Sequence, residues 1–354
     1  MIGIRADGNA VIATGHIMRC MAIGDRLREM GKEVLFFLAG GEMRELVESR
    51  GFRVRVLDTD WRDMEGELDV FLPLLEQYHI QHVLLDSYQA TFAYLNRLHK
   101  KVKITYIDDL QLINTPVDNI ICYSVYSEEE KEDYKKSFKE NQNLYLGLDY
   151  IPLRKEFEKG KYKNDTENTF QDKANKSLPY VKDILITTGG TDCFHMAMGI
   201  VDYLKPYDEE WNFHVVVGKF HPDKDKLKEM SKHMPHLYLY ENVVNMASLM
   251  NQCDVAVSAG GTTIFELCCV GVPILAFTIA DNQRGIAELD KMGLLKSMGD
   301  ARFAREKVLS NIAGSLQEYG KHPEQLLKTS RYQRSMVDAK GAVRIARIIL
   351  EDEV

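Results

Sequence analysis

Short apolar runs alternate with amphipathic stretches along most of this 354-residue chain, and that rhythm narrows its possible folds more than any other feature. Residues 2–4, 34–38, 54–57, 83–85, 104–107 and 120–122 have the length and unbroken apolarity of buried strands. Between them, residues 16–30, 43–49, 68–78 and 92–100 repeat apolar side chains at helical spacing. Strands apolar on both faces, each followed by a helix, predict a parallel sheet covered on both sides. The rhythm breaks after Asp149, where residues 156–177 are polar and rich in Lys, Asn, Asp and Glu. It resumes at 184–187, 213–217, 237–239, 255–257 and 274–277. The expectation is an α/β protein of two Rossmann-like domains with a cleft between them: 1–150, a linker over 151–180, and 181–354. The last amphipathic stretch, 339–350, suits either domain.

Composition excludes several classes. A net charge of −8 is unlike the basic face of a nucleic-acid binder. No run of about 18 apolar residues is present, so no transmembrane helix is expected, and residues 1–7 lack the features of a signal peptide. The six cysteines have no paired metal spacing. Cys268 and Cys269 read as core filler, and a reducing cytoplasm is the expected compartment. Neither a metal nor a cofactor is expected, and the sequence leaves the oligomeric state open.

In an open α/β sheet, ligands bind beyond the carboxyl ends of the strands. That rule selects the loops at 5–15, 86–90, 108–110, 187–193, 217–220, 242–246, 258–263 and 278–284. The 258–263 turn reads Ser-Ala-Gly-Gly-Thr-Thr, follows a buried run and opens a helix carrying Glu266. Free amides and a helix N-terminus form a cradle for phosphate, and Glu266, one turn further in, can accept from a ribose diol. Gly189-Gly190-Thr191-Asp192 repeats the idea more weakly. The dinucleotide-binding Gly-x-Gly-x-x-Gly and the P-loop pattern are both absent.

His16 sits near a predicted helix N-terminus, where the dipole favours the neutral ring. A neutral imidazole facing a cleft suits a general base. The alternative is a packing or capping histidine; Gly15 beside it, which lets a ligand approach, favours the base. Arg5 and Asp7 flank the end of the first strand and can structure the following loop or meet a sugar. Asp108-Asp109 is a carboxylate pair, but consecutive residues at a strand end do not both face a cleft, which argues against metal binding. The 243–250 segment suits a core-facing stripe.

These pieces, in this order, resemble a known family. Arg5-Ala-Asp7, Gly15-His16-Ile17-Met18-Arg19, Asp86-x-Tyr88, Asp108-Asp109, Gly147-x-x-Tyr150-x-x-x-Arg154-x-x-Phe157, Gly189-Gly190-Thr191-Asp192 and Ala280-Asp281-Asn282-Gln283 are similar to motifs of the hydrolases that cleave UDP-2,4-diacetamido-2,4,6-trideoxy-β-L-altropyranose in pseudaminic acid biosynthesis. That family resembles in turn the GT-B glycosyltransferase that adds N-acetylglucosamine to lipid I. The resemblance implies a GT-B-like fold with a UDP-sugar in the interdomain cleft, and UDP as product. Val243 and Met246 would contact uracil through their backbone, and Glu266 the ribose. Gly190, Thr191, Gly260, Gly261 and Thr262 would surround the diphosphate, with Asn282 and Gln283 near phosphate and sugar. His16 would deprotonate water for attack at the anomeric carbon with inversion, while Tyr88, Arg5, Asp7 and Gly15 line the sugar side. The chain departs from many relatives in the loop after Asp7, Gly-Asn-Ala-Val-Ile-Ala, and at Gln89. A glycosyltransferase passing the sugar to an acceptor is the competing expectation.

Overall fold

The structure, a computed structural model, describes residues 1–108, 116–124, 128–138, 143–158, 181–207, 209–218, 220–283 and 285–351. The chain divides into two compact units, one built from Met1–Lys155 with the stretch from Ala339 onward, the other from Glu156–Asp338.

The first unit is a seven-stranded sheet in the order β3-β2-β1-β4-β5-β6-β7, with every pairing parallel. Its strands are β1 (Ile2–Ala6), β2 (Val34–Leu38), β3 (Arg53–Val56), β4 (His82–Asp86), β5 (Lys103–Ile107), β6 (Asn119–Cys122) and β7 (Asn143–Leu146). Helices α1 (Gly15–Glu29), α2 (Arg44–Ser49), α3 (Met64–Gln77), α4 (Phe92–His99) and α5 (Glu128–Lys136) intervene. β1, β2 and β4 are buried at every residue, as expected for strands covered on both faces. β3 alternates Arg and Val at the edge, with the arginines outward, which blunts that edge against further pairing.

Neither β7 nor α5 stands out in the sequence. β7 is a half-exposed edge strand, and α5 reads Glu-Glu-Glu-Lys-Glu-Asp-Tyr-Lys-Lys with Tyr134 its one buried residue. An element that buries so little carries no apolar period to read.

The second unit is a six-stranded parallel sheet, β10-β9-β8-β11-β12-β13. Its strands are β8 (Asp183–Thr187), β9 (Asn212–Val217), β10 (Leu237–Glu241), β11 (Val255–Ala259), β12 (Ile274–Thr278) and β13 (Lys296–Asp300). Its helices are α6 (Met196–Leu204), α7 (Lys224–Ser231), α8 (Met246–Gln252), α9 (Thr263–Val270), α10 (Ile286–Lys291), α11 (Ala301–Lys321) and α12 (Pro323–Met336). Ile184, Ile186, Phe213, Val215, Val257 and Phe277 are central to its core.

Two boundaries differ from the expectation. Residues 151–158 are structured rather than linker: Ile151 and Leu153 are buried, and Phe157 is buried in the 3-10 turn Lys155–Phe157. The remainder of the expected linker, 159–180, lies outside the described residues. The final helix α13 (Gly341–Glu351) belongs to the first unit and not to a 181–354 domain; it packs on α1 through a face that includes Ile345 and Ile349. Gly341 permits this docking, because a Cβ there would lie 2.2 Å from the carbonyl oxygen of Ile151. Arg344 then donates to the carbonyl of Asp149 at 2.9 Å.

Candidate functional site

Each sheet reverses its strand order once near its centre, and in folds of this kind such a reversal opens a crevice at the carboxyl ends. In the first unit the reversal falls between β1 and β4; in the second, between β8 and β11. The strongest candidates from the sequence fall at these two points.

In the first unit, α1 starts at Gly15 and carries His16 in its first turn, while β4 ends at Asp86. His16 Nδ1 lies 2.6 Å from Asp86 Oδ1. Arg19, one turn along α1, donates through Nε to Asp86 Oδ2 at 2.5 Å and through Nη2 to Oδ1 at 2.6 Å. It also donates to the Tyr123 hydroxyl. Arg19 Nη2 is 3.1 Å from His16 Nδ1, but Nδ1 cannot both donate to the carboxylate and accept from Arg19. The shorter, charge-assisted contact decides: Nδ1 carries the proton and Nε2 the lone pair. The Tyr88 ring meets the imidazole edge-on, with centroids 4.4 Å apart.

Burial alone would raise the Asp86 carboxyl. The charges and hydrogen bonds of Arg19 and His16 outweigh it and hold the group well below the usual carboxylate range. A fixed anion behind Nδ1–H orients the ring and stabilises an imidazolium when Nε2 takes a proton, the logic of the Ser-His-Asp triad. A Cβ on Gly15 would meet nothing within 4 Å, so its lack of a side chain leaves open space beside the dyad.

Arg5 takes a different place from the sugar contact expected of it. It is fully buried, bonded to Glu67 at 2.6 and 2.9 Å and to Asp7 at 2.5 Å. Tyr94 closes the network on Glu67 at 2.8 Å, and Asp7 accepts the Ala39 amide at 2.7 Å. With no accessible surface, Arg5 fixes the rim from behind and does not line it; that is a correction. Asp7 borders a pocket described below. Asp108 is buried and accepts from the Tyr134 hydroxyl at 2.5 Å. Its neighbour Asp109 lies outside the described residues. Among the described residues no group of three or more His, Cys, Asp or Glu side chains could hold a metal ion.

In the second unit the loop after β8 passes through Gly189, whose φ of +79° is the left-handed region that favours glycine. Gly190 approaches Gly218 so closely that a Cβ on Gly218 would lie 2.8 Å from the Gly190 Cα. Thr191 is half-buried. Asp192 turns inward, accepting the amides of Met196 and Ala197 at 2.8 and 2.9 Å, and so caps α6.

After β11, Gly260 packs against α10, where a Cβ would lie 2.3 Å from Ile286 Cδ1; a Cβ on Gly261 would meet nothing within 4 Å. Thr262 precedes α9 without a side-chain cap, and the amides of Thr262 and Thr263 find no acceptor among the described residues. Glu266 stands in the first turn of α9, half-buried. Gln283 accepts the Ile279 amide through Oε1 at 2.7 Å, folding the 279–283 turn. The backbone of Asn282 belongs to the same turn, while its side chain and Arg284 lie outside the described residues.

Of the 243–246 backbone expected to meet uracil, the Met246 amide is engaged, donating to Glu156 at 2.9 Å. Val243 is half-buried beside the fully exposed Val244.

Asp86 and Arg19 were not singled out as site residues by the sequence reading. Both lie inside the quoted motifs, but pairing Asp86 with His16 requires knowing that β1 and β4 are neighbours.

No protein-family profile matches the chain. It is 26% identical over 291 residues to an uncharacterised protein of Methanocaldococcus jannaschii; the match covers 80% of this chain and 56% of that one, so the chain spans just over half of that relative. It is 21% identical over 362 aligned positions to the spore coat polysaccharide biosynthesis protein SpsG of Bacillus subtilis, covering 98% and 97% of the two. Among solved structures it is similar to a glycosyltransferase from Rickettsia africae (TM-score 0.61, 13% identity, 99% and 98% covered). MurG of Acinetobacter baumannii gives a TM-score of 0.64 at 13% identity, with 99% of each chain covered. UDP-GlcNAc 2-epimerase of Neisseria meningitidis, solved with UDP-GlcNAc, gives 0.65 at 15%, with 99% and 100% covered. The chain therefore has the two-domain α/β fold of the GT-B type.

Proposed function

We propose that this chain is a UDP-sugar hydrolase that cleaves the anomeric C–O bond with inversion, acting on a UDP-linked 2,4-diacetamido-2,4,6-trideoxyhexose destined for a nonulosonic acid. The observation that carries the reading is the His16–Asp86 dyad at the switch point of the first sheet. His16 Nε2 takes a proton from water as its oxygen attacks the anomeric carbon, and the sugar–oxygen bond breaks with its electron pair leaving on UDP. Asp86 stabilises the imidazolium formed, and Arg19 keeps Asp86 ionised and in place. The second unit grips UDP: the Thr262 and Thr263 amides and the α9 N-terminus take up charge growing on the diphosphate, with Gly190, Thr191, Gly261 and Gln283 beside it and Glu266 on the ribose. Two comparisons support a nucleotide-sugar substrate: SpsG is named for polysaccharide biosynthesis, and the similar epimerase holds UDP-GlcNAc.

The fold is shared with a glycosyltransferase, and the same dyad can deprotonate an acceptor hydroxyl, so transfer is the second reading. Incubation with UDP-linked 2,4-diacetamido sugars in ¹⁸O-water, without acceptor, separates the two. Label in the free sugar supports hydrolysis at carbon, and label in UDP refutes the mechanism. Turnover that waits for an added acceptor selects the transferase.

A further inference from the structure

A pocket of about 170 Å³ opens at the carboxyl ends of β1, β2 and β3, walled chiefly by Asp7, Asn9, Glu42, Thr59, Trp61 and Arg62. None of the last five has a part in the reading above. We propose that it is a sugar subsite seating one uncharged or amino-bearing hexose ring, the glycosyl group of the substrate; its link to catalysis rests on the UDP-sugar reading.

Size is the first argument. The volume falls below the ~300 Å³ at which sites for drug-sized ligands begin, which leaves room for one ring and not for a nucleotide. Charge is the second. Of its three carboxylates, Asp7 is bonded to Arg5 at 2.5 Å and Asp60 to Arg62 at 2.9 and 3.0 Å, which leaves Glu42 as the carboxylate not ion-paired among the described residues. A diphosphate or a carboxylate-bearing ligand is repelled, whereas hydroxyl and ammonium donors are welcomed.

The lining also has the parts a sugar needs. The Glu42 carboxylate folds over Gly40, where a Cβ would lie 2.4 Å from its Oε2, and it has no partner among the described residues. Thr59 Oγ1 is buried with no hydrogen-bond partner. Trp61 adds an aromatic ring of the kind that stacks on the apolar side of a sugar, with the Arg62 guanidinium over it at 5.9 Å from the centroid. Asp7 is held rigid by Arg5 and the Ala39 amide, so one wall is preorganised. Asp7, Gly8 and Asn9 begin the loop that ends just before His16. An Asx turn, Asn9 Oδ1 accepting the amides of Val11 and Ile12 at 2.8 and 3.1 Å, stiffens that loop. It is also the loop in which the sequence departs from the family it resembles.

Tryptophan fluorescence reads the pocket directly: the chain has two tryptophans, and the other, Trp211, is buried in the second unit's core. Titration of the full chain with glucosamine or N-acetylglucosamine should give a saturable change, and glucuronate none. Glu42→Gln should weaken glucosamine about tenfold through loss of a charge-assisted hydrogen bond. Trp61→Ala, followed by saturation-transfer NMR, should abolish hexose binding while UDP affinity stays within twofold. Unchanged hexose binding in both variants, or glucuronate binding as well as glucosamine, overturns the proposal. In turnover, Glu42→Gln should raise KM about tenfold with kcat within twofold, and an unchanged KM also overturns it. A wild-type chain that binds hexoses with this dependence on Glu42 and Trp61 but releases no UDP from any UDP-sugar keeps the pocket and removes the hydrolase.

Discussion

Replacing Asp86 by Asn tests the dyad at its least forgiving point. The change is nearly isosteric, so packing is kept, but one acceptor oxygen becomes a donor. Asp86 receives His16 Nδ1–H and two Arg19 donors. If the single oxygen of the introduced amide goes to Arg19, its N–H faces Nδ1, which must then accept; the proton moves to Nε2 and the base is lost. In the Ser-His-Asp system the equivalent change costs about 10⁴-fold in kcat, and a loss of roughly 10³–10⁴-fold is expected here on the same grounds. Because His16 and Asp86 act as one unit, the double variant His16→Ala, Asp86→Asn should be no slower than His16→Ala alone. Stability falls too, since removing one partner of a buried ion pair costs about 3–5 kcal/mol, and the lower end applies because Asn keeps one acceptor for Arg19.

The acid dependence follows from the low carboxyl of Asp86. Its folded value lies below its unfolded one, so its stabilisation is complete above the ordinary carboxylate pKa of about 4 and drains away as pH falls through the folded value. Urea unfolding of both proteins from about pH 7 down to about pH 3 should therefore show their difference shrinking below about pH 4. The decisive assay is UDP release at neutral pH alongside calorimetric UDP binding. A variant that binds UDP normally and turns over within tenfold of wild type would refute the dyad.

Other consequences are open to simpler measurements. Gly261→Ala meets no atom within 4 Å in the chain itself, so Tm should hold while UDP affinity falls about tenfold or more; an unchanged affinity removes Gly261 from the cradle. Gly260→Ala drives a Cβ to 2.3 Å from Ile286 and should cost about 1–3 kcal/mol in denaturant unfolding even without ligand. Burial, then the charges of Glu318 and Asp290, push Tyr319 up to about 12. The unfolded chain therefore ionises first, stability declines above about pH 10, and Tyr319→Phe should flatten that decline. Truncation before Gly341 uncovers the face of α1 that α13 covers, so hydrogen exchange should quicken in the first unit and not in the second.

The fold was legible because its strands are short, apolar and buried on both faces, a signal that survives without neighbours. Elements that bury little (α5, β7, β13) gave no such signal. The strand, glycine turn and helix around residues 258–266 were legible as well, since Ser-Ala-Gly-Gly-Thr-Thr before a helix is a local pattern. The dyad was only half legible. His16 announces itself beside Gly15, but Asp86 is 70 residues away and ends a strand in the same way as Asp108, which turns out to serve Tyr134. Choosing between those two aspartates takes the strand order, and strand order is long-range information. Arg5 was half legible too: its pairing with Asp7 as a loop-structuring contact could be read from spacing, but its other partner Glu67 comes from α3, 62 residues on.

The two switch points then differ in a way that fits opposite charges. At the second unit's reversal the polypeptide offers backbone: glycines without side chains, amides with no acceptor among the described residues and the positive end of α9, an environment for an anion to accumulate charge. At the first unit's reversal a buried anion holds an imidazole whose charge rises when it accepts a proton. The pocket beyond β1–β3 is acidic again, and so unsuited to phosphate. On the proposed reading, anion stabilisation is concentrated in one unit, while proton transfer and sugar recognition fall to the other. Substitutions at Asp86 or Glu42 should accordingly leave UDP affinity intact, and substitutions at Gly261 should change it; a UDP affinity that follows the first-unit residues instead would contradict that division.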